Sequence, residues 1–424
     1  MSWFIPNPRS VDVRALVRAA TVLLGGAFLV NFVLGYPSSG DYAIHAPVAG
    51  DNAGPMLTAL AHANLAVAVS HQPLMGLTSL VLRLPSLVVA LLLGLNAQQT
   101  YALGALMCLT PALALGGWMV ARSPAHPRRL WPAVVAAVLV IAGPATLSAV
   151  EIGHPEEVLA AVLATGAVLA AGRDHPNWSW VLLGLAAGTK QWALLAFPCV
   201  MLALPGRRVG VAVKAGAIAL ALTATMPLID PAAFARADSV VGGITSADPF
   251  SLWWPFSPAA HATSAGTAHL IPLGLTRSTA AALGLIGVLA ALWLYGLRRR
   301  PRGMDAVALL ALLELARCIT DPDPLQYNFV ALVIPLAAWE AVELRRPPLV
   351  TATATACVAF LASGSLVRFD GTGLSASPAL LSGLSIAWTV VLGCYLAYHA
   401  FEPRGGMSLS KLGFAMPPST SEMT

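Results

Sequence analysis

Apolar runs of about 17 to 25 residues, the length that crosses a bilayer as a helix, recur along almost the whole chain. They are separated by short segments that hold most of its charges. Only 10% of the 424 residues are charged while 57% are hydrophobic, and the mean hydropathy is +0.75. No single water-soluble core can bury that much apolar side chain. In lipid every backbone N–H and C=O must be satisfied within the segment, which leaves helices as the spanning element. The expectation is an all-α, polytopic integral membrane protein with about 12–14 transmembrane helices. Residues 1–400 form one transmembrane domain, and 401–424 form a polar cytoplasmic tail. The basic pI near 9.1 does not point to nucleic acid, because the arginines sit in short loops between apolar runs, as the positive-inside rule requires. The five cysteines lie within or at the ends of apolar segments with no CxxC or Cys/His spacing. They read as small core residues. Arg9, Arg14 and Arg18 precede the first apolar run as in a signal peptide, but the run is too long for one and reads as a retained span.

The spans set the sidedness. The first covers about 15–35 with the N-terminus inside, so 36–73 lies outside. The region 74–121, interrupted by Pro73, Pro85 and Pro111, has length for two spans plus a short or re-entrant helix. The loop at 122–131, with Arg122, Arg128 and Arg129, is placed inside. A span at 132–149 then exits to an outer turn, Glu151 to Glu157, and 158–171 returns to Arg173. The run 178–204 is broken at Gly188-Thr189-Lys190-Gln191 and reads as two short helices that meet near the outer face. Spans follow at 211–229, 279–297, 304–319, 328–342, 349–367 and 379–400, with a long outer loop at 230–277. Arg207-Arg208, Arg298 to Arg302 and Arg345-Arg346 fall inside; Asp321, Asp323 and Asp370 fall outside. Both termini are cytoplasmic on this count.

Acids, histidines and a few cations collect at the outer ends. Asp41 and Asp51 lie in the first outer loop, and either can take the proton from an attacking hydroxyl. Either is equally at home as a solvated loop acid. Glu151, His154, Glu156 and Glu157 crowd one turn. They can hold sugar hydroxyls, bind a divalent cation or assist proton transfer. Two acids after a proline are also an ordinary helix start. Lys190-Gln191 sits at a helix break, where freed N–H groups and an ammonium suit a phosphate; a snorkelling lysine is the plainer reading. Arg317 ends a span on the outer side, against the charge trend, and the turn Asp321-Pro322-Asp323-Pro324-Leu325-Gln326-Tyr327 follows it. In the long loop, Trp253 and Trp254 read as an aromatic belt or as a lid.

Several of these pieces stand in a familiar order. A first outer loop with an acid leads to His71-Gln72-Pro73-Leu74-Met75-Gly76, then to Leu82-Arg83-Leu84-Pro85. Gly153-His154-Pro155-Glu156-Glu157 heads a helix, Gly184 to Lys190 forms a Gly-rich helix ending in lysine, and the Asp321–Tyr327 turn precedes a span. The layout resembles the GT-C superfamily, in particular the bacterial polyprenyl-phosphate-mannose-dependent mannosyltransferases. The resemblance implies an inverting glycosyltransferase of the bacterial plasma membrane. Its donor is a polyprenyl-phosphate-linked sugar, and its acceptor is a lipid or glycan of the cell envelope on the outer face. It implies a catalytic aspartate in the first outer loop. Asp51 has the better spacing to His71 and Gln72, Asp41 lies nearer the span, and Asp51 is preferred. Lys190 and Arg317 would hold the donor phosphate, with Gln191, Asp321, Asp323 and Tyr327 near the substrate. A divalent cation is compatible with these acids, though polyprenyl phosphate leaves readily without one. His154-Pro155-Glu156-Glu157 departs from the better-known relatives, which have Gly-Gln and a polar residue there.

The other class that suits these spans is a multi-pass transporter or lipid flippase. Such proteins tend to place broken helices in corresponding positions of two halves; here one broken pair stands without a twin.

Overall fold

A computed structural model describes residues 12–35, 62, 64, 77–123, 127–204, 206–235, 246–247, 251–257, 259–263, 266–271, 275–297, 303–322, 325–344, 346–362 and 378–401. Asp41, Asp51, His71, Gln72 and Asp323, and the tail beyond Phe401, lie outside the described residues.

Helices dominate, as the apolar runs require. In chain order they are α1 (Val13–Gly35), α2 (Leu77–Leu93), α3 (Ala97–Arg122), α4 (Pro127–Ala142), α5 (Pro144–Glu151), α6 (Pro155–Ala171) and α7 (Pro176–Thr189). A 3-10 turn, Gln191–Leu195, leads into α8 (Ala196–Ala203). Next come α9 (Arg208–Thr223), the short α10 (Thr225–Ile229), α11 (Leu275–Leu297) and α12 (Gly303–Thr320). A second 3-10 turn, Gln326–Phe329, opens α13 (Val330–Ala338), which runs into a π-helical turn, Trp339–Leu344. The chain then forms α14 (Leu349–Ala362) and α15 (Pro378–Phe401). Among the described residues, four helices are long and apolar enough to cross a membrane: Val13–Gly35, Gln98–Arg122, Leu130–Glu151 and Leu380–Phe401. The third runs through the Gly143-Pro144 step between α4 and α5. An addition to the helical expectation is a small antiparallel sheet in the long loop. Its strands are β1 (Ser246–Ala247), β2 (Ala259–Thr263) and β3 (Gly266–Leu270), with β3 in the middle.

Packing sorts the helices by their apolar faces. α13 (VALVIPLAA) is apolar all round, and all nine of its residues are buried; such a helix belongs at the centre. α1 is apolar too but peripheral, with Leu23 and Leu24 each 71% exposed. An apolar surface of that kind is stable against lipid and not against water, so membrane association follows from composition and packing together.

Side-chain bonds fix the directions. α1 and α3 are antiparallel: a Cβ on Gly25 would meet Leu113, one on Gly117 would meet Val22, and Gln98 Nε2 donates to Val33 O at 3.2 Å. α6 and α7 are antiparallel through Ser179 Oγ, which donates to Ala167 O at 3.1 Å. α7 and α9 run parallel, with Gly184 against Ala215 and Ile218 and Gly188 against Leu222. One end of the bundle is basic. There the Arg122 and Arg173 guanidiniums lie 5.9 and 4.4 Å from the Trp118 ring centre. The opposite end carries the α5–α6 turn, the α7 break and the C-terminus of α12.

α2 resolves the ambiguous stretch at 74–121. The Thr78 hydroxyl donates to Gly188 O near its start. Its far end turns through Gly94 (φ +62°) into α3, whose Gln98 reaches the C-terminal end of α1. Both ends of α2 are therefore tied to the same end of the bundle, the one opposite the arginines. The short or re-entrant helix expected there is α2, and α3 is the single long helix that follows.

Candidate functional site

The turn between α5 and α6 is built by local rules. Gly153 has φ +86°, a left-handed conformation that glycine adopts without a Cβ penalty. His154 N–H donates to Ala149 O at 2.6 Å and Gly153 N–H to Val150 O at 3.2 Å, the paired bonds of a Schellman C-cap. Pro155 then occupies the first helical position of α6, where its missing N–H costs nothing. Glu156 and Glu157 fall in the first turn, on the positive end of the helix dipole. α7 ends at Thr189, and Lys190 is extended (φ −142°, ψ 131°) before the 3-10 turn begins.

The Lys190 side chain meets α6 there. Its Nζ lies 3.0 Å from Glu156 Oε1 and 2.9 Å from Glu157 Oε1. Glu156 Oε1 is also 3.2 Å from His154 Nδ1, while Glu156 Oε2 is buried without a partner. Glu157 Oε2 accepts from Trp192 Nε1 at 2.7 Å. The His154 ring stacks on Tyr327, centroids 4.5 Å apart at 21°. Tyr327 belongs to the 3-10 turn after α12, so the turn at 151–157, the α7 break and the start of the α13 arm converge.

Arg317 extends the network. Its Nε donates to Glu314 Oε2 at 3.0 Å and its Nη2 to Asn328 O at 2.8 Å. The guanidinium carbon lies 5.1 Å from the Trp192 ring centre. Trp192 thus touches both halves, bonding Glu157 with its N–H and facing Arg317 with its ring. The long loop is fastened at the same point: Leu252 N–H donates to Ile319 O at 2.8 Å and Trp253 Nε1 to Thr320 O at 2.7 Å. These bonds satisfy carbonyls left over at the end of α12.

Acids lie beneath and cations above. The Glu156 and Glu314 side chains are 2% and 0% exposed, against 21% for Lys190 and 15% for Arg317. The Lys190 ammonium and the His154 ring both face the buried Glu156 carboxylate. Burial would lower Lys190, but the Glu156 and Glu157 carboxylates raise it above its ordinary value. Donors remain on the cations. Lys190 uses two ammonium protons on Glu156 and Glu157 and has a third. Arg317 spends Nε on Glu314 and Nη2 on Asn328 O, and among the described residues Nη1 makes no hydrogen bond.

Of the residues expected from sequence, His154, Glu156, Glu157, Lys190, Arg317 and Tyr327 come together. Asp321 follows α12 beside Arg317, its N–H on Arg317 O at 3.0 Å. Glu151 closes α5, half-buried, and Gln191 points to the exposed side of the 3-10 turn. The pairing of Lys190 with Glu156 and Glu157 does not follow from the sequence, and Arg317 pairs with Glu314 where the nearby aspartates were the carboxylates expected. Glu314 was missed, although a lone acid three residues before an arginine in LLALLELARC is a readable i,i+3 pair. Trp192, next in sequence to Gln191, is a bridge that no local sequence rule announces. Among the described residues, no group of three or more His, Cys, Asp or Glu is placed to hold a metal ion.

No family model, curated protein or solved structure matches this chain.

Proposed function

We propose that the protein is a multi-pass membrane glycosyltransferase that moves a sugar from a polyprenyl-phosphate donor to an envelope lipid or glycan. The observation that carries this reading is the paired-cation cluster. Lys190 and Arg317 sit at one end of the bundle with donors to spare, above buried carboxylates, and a tryptophan joins them. The described chain reaches that same end at Gly35 and again at Leu77, and Asp41 and Asp51 fall between those two points in the sequence.

Twelve crossings fit the helix order: α1, α3, α4 with α5, α6, α7, α8 with its 3-10 turn, α9, α11, α12, α13, α14 and α15. With the arginine-rich loops taken as cytoplasmic, this reading has the cluster outside and both termini inside. In the reaction, Asp51 or Asp41 takes the proton of an acceptor hydroxyl. The acceptor oxygen bonds to the anomeric carbon from the face opposite the phosphate, the carbon–oxygen bond to phosphate breaks, and the configuration inverts. Polyprenyl phosphate leaves with the bonding electrons, and Lys190 and Arg317 stabilise its charge.

The test uses purified protein in nanodiscs with radiolabelled polyprenyl-phospho-mannose and a membrane glycolipid extract. Transfer of label to the extract is expected, with Asp51→Asn lowering turnover about 100- to 10,000-fold. Loss with Asp41→Asn alone would move the base to Asp41. No transfer by wild type from phospho-mannose or other polyprenyl-phospho-sugars would sink the enzyme reading, and saturable solute uptake by proteoliposomes would replace it with a transporter.

A further inference from the structure

A second polar feature runs through the apolar body of the bundle. α15 (PALLSGLSIAWTVVLGCYLAYHAF) puts Ser382, Trp388, Thr389 and Tyr395 on its inner side. Ser382 is 3% and Thr389 7% exposed. Ser382 Oγ, Trp388 Nε1, Thr389 Oγ1 and Tyr395 Oη are all buried and, among the described residues, have no protein hydrogen-bond partner. Ser382 stacks with Thr389 and Trp388 with Tyr395, each pair seven residues apart, so the four form two columns that flank the inner side of the helix. Thirteen residues of helix separate the first from the last, about 20 Å at 1.5 Å per residue, most of a hydrocarbon core of about 30 Å.

That face is held against the rest of the protein along its length. A Cβ on Gly393 would lie 3.8 Å from Leu315 of α12. The Trp388 ring is 6.2 Å from Phe329 and the Tyr395 ring 6.0 Å from Trp339. Near the basic end the Arg346 guanidinium lies 5.6 Å from the Tyr395 ring centre. At the other end α12 contributes Glu314, whose Oε1 is likewise buried and unpartnered.

One orphaned hydroxyl in a core is a local cost. Three hydroxyls and an indole N–H in two columns along one helix, in a chain whose spans are otherwise chosen for apolarity, are a pattern. Each would cost on the order of 1–3 kcal/mol if left dry. Serine and threonine in an apolar helix ordinarily bond back to the carbonyl four residues earlier, as Thr355 does to Thr351 O at 2.8 Å and Thr320 to Ala316 O at 2.8 Å. Ser382 and Thr389 do not. Their hydroxyls, the indole N–H and the phenol are left for a small ligand that both donates and accepts and needs little room.

We propose that the inner side of α15 binds a chain of water molecules along its seam with α12 and with Phe329 and Trp339, the residues that flank α13. Water meets all four groups at once, since it accepts from Trp388 Nε1 and exchanges donor and acceptor roles with the hydroxyls. An anion would find no charged partner among these four groups, and a lipid chain would leave them unsatisfied. The seam is independent of glycosyl transfer and goes beyond it.

Radiolytic footprinting of the full chain in nanodiscs reads this directly, because hydroxyl radicals form from the waters themselves. Tyr101 is the internal control: it is fully buried and its hydroxyl already donates to Val150 O. Trp388 and Tyr395 should be oxidised severalfold faster than Tyr101. Rates no faster than that of Tyr101 would overturn the proposal. Thr389→Val gives a second reading with the opposite sign in the two cases. Removing a hydroxyl that holds water should lower the melting temperature, whereas removing a dry, unpaired one should raise it, and a rise would also overturn the proposal.

Discussion

Lys190 is the residue on which the cluster turns. It is the one cation bonded to both Glu156 and Glu157, so its loss leaves two buried carboxylates facing each other without a counter-charge. Lys190→Met is expected to destabilise the protein by about 3–5 kcal/mol, the usual consequence of breaking a buried pair from one side. Lys190 is raised from 10.5, so its contribution is complete below that value and is lost only as the pH rises through the higher folded one. Below about pH 10 the lysine should therefore leave the wild-type melting temperature flat. In Lys190→Met the unpaired carboxylates favour their protonated forms, and acid then restores what the lysine supplied. The melting-temperature gap between variant and wild type should narrow as the pH is lowered to 5. A gap that stays constant or widens would mean the lysine is not the counter-charge for these acids.

Among the helices, the α7–α9 pair shows how tightly the cluster's scaffold is set. A Cβ on Gly184 would lie 2.8 Å from Ala215 O and 2.7 Å from Ile218 Cβ, atoms that cannot move without the α9 backbone. At Gly188 the nearest atom is the tip of Leu222 at 2.6 Å, which can rotate, with Leu222 Cβ at 3.1 Å. Gly184→Ala should therefore cost more than Gly188→Ala, on the order of 1–3 kcal/mol for overpacking of this kind. Thermal unfolding in detergent checks the ranking; equal or reversed costs would mean that α7 and α9 are not packed as described. The broken run at 178–204 was readable because Gly188, Lys190 and Gln191 interrupt an apolar sequence, and the break falls at Lys190. The α5–α6 turn was readable from Gly153 and Pro155, which have only a few roles at helix ends. The link between these two elements was not readable. Glu156 and Lys190 are 34 positions apart, and no local rule states which buried charge meets which. The sheet at 246–270 escaped for another reason: its strands are short and rich in alanine, with none of the β-branched alternation that marks a strand.

At the scale of the whole molecule, a few contacts agree on the directions of α1, α2, α3, α6 and α7. Gln98 with Val33, Thr78 with Gly188, Trp192 with Glu157 and Tyr327 with His154 lie at one end. Arg122 and Arg173 around Trp118 lie at the other. The sequence placed the arginines on one side by counting apolar runs, and it left 74–121 open because apolar length alone does not separate a crossing from a helix lying at the surface. Thr78 and Gln98 decide that stretch, since both ends of α2 attach to the end away from the arginines. The parity that follows is specific. On the proposed twelve crossings, α3 alone separates Gly35 from Arg122 and both termini share a side. Reporter fusions should then read inside at Pro124, Gly206 and Pro301, and outside at Ala53, Ala247 and Leu325. The proposed orientation keeps arginine-rich loops on the cytoplasmic side because they are costly to translocate, and it turns Lys190 and Arg317 outward. A fusion at Ala53 reading inside would mean that α2 crosses and would detach Asp41 and Asp51 from the cluster. Outside readings at Gly206 or Pro301 would invert the bundle and move the candidate site to the cytoplasmic face, where an envelope acceptor could not reach it.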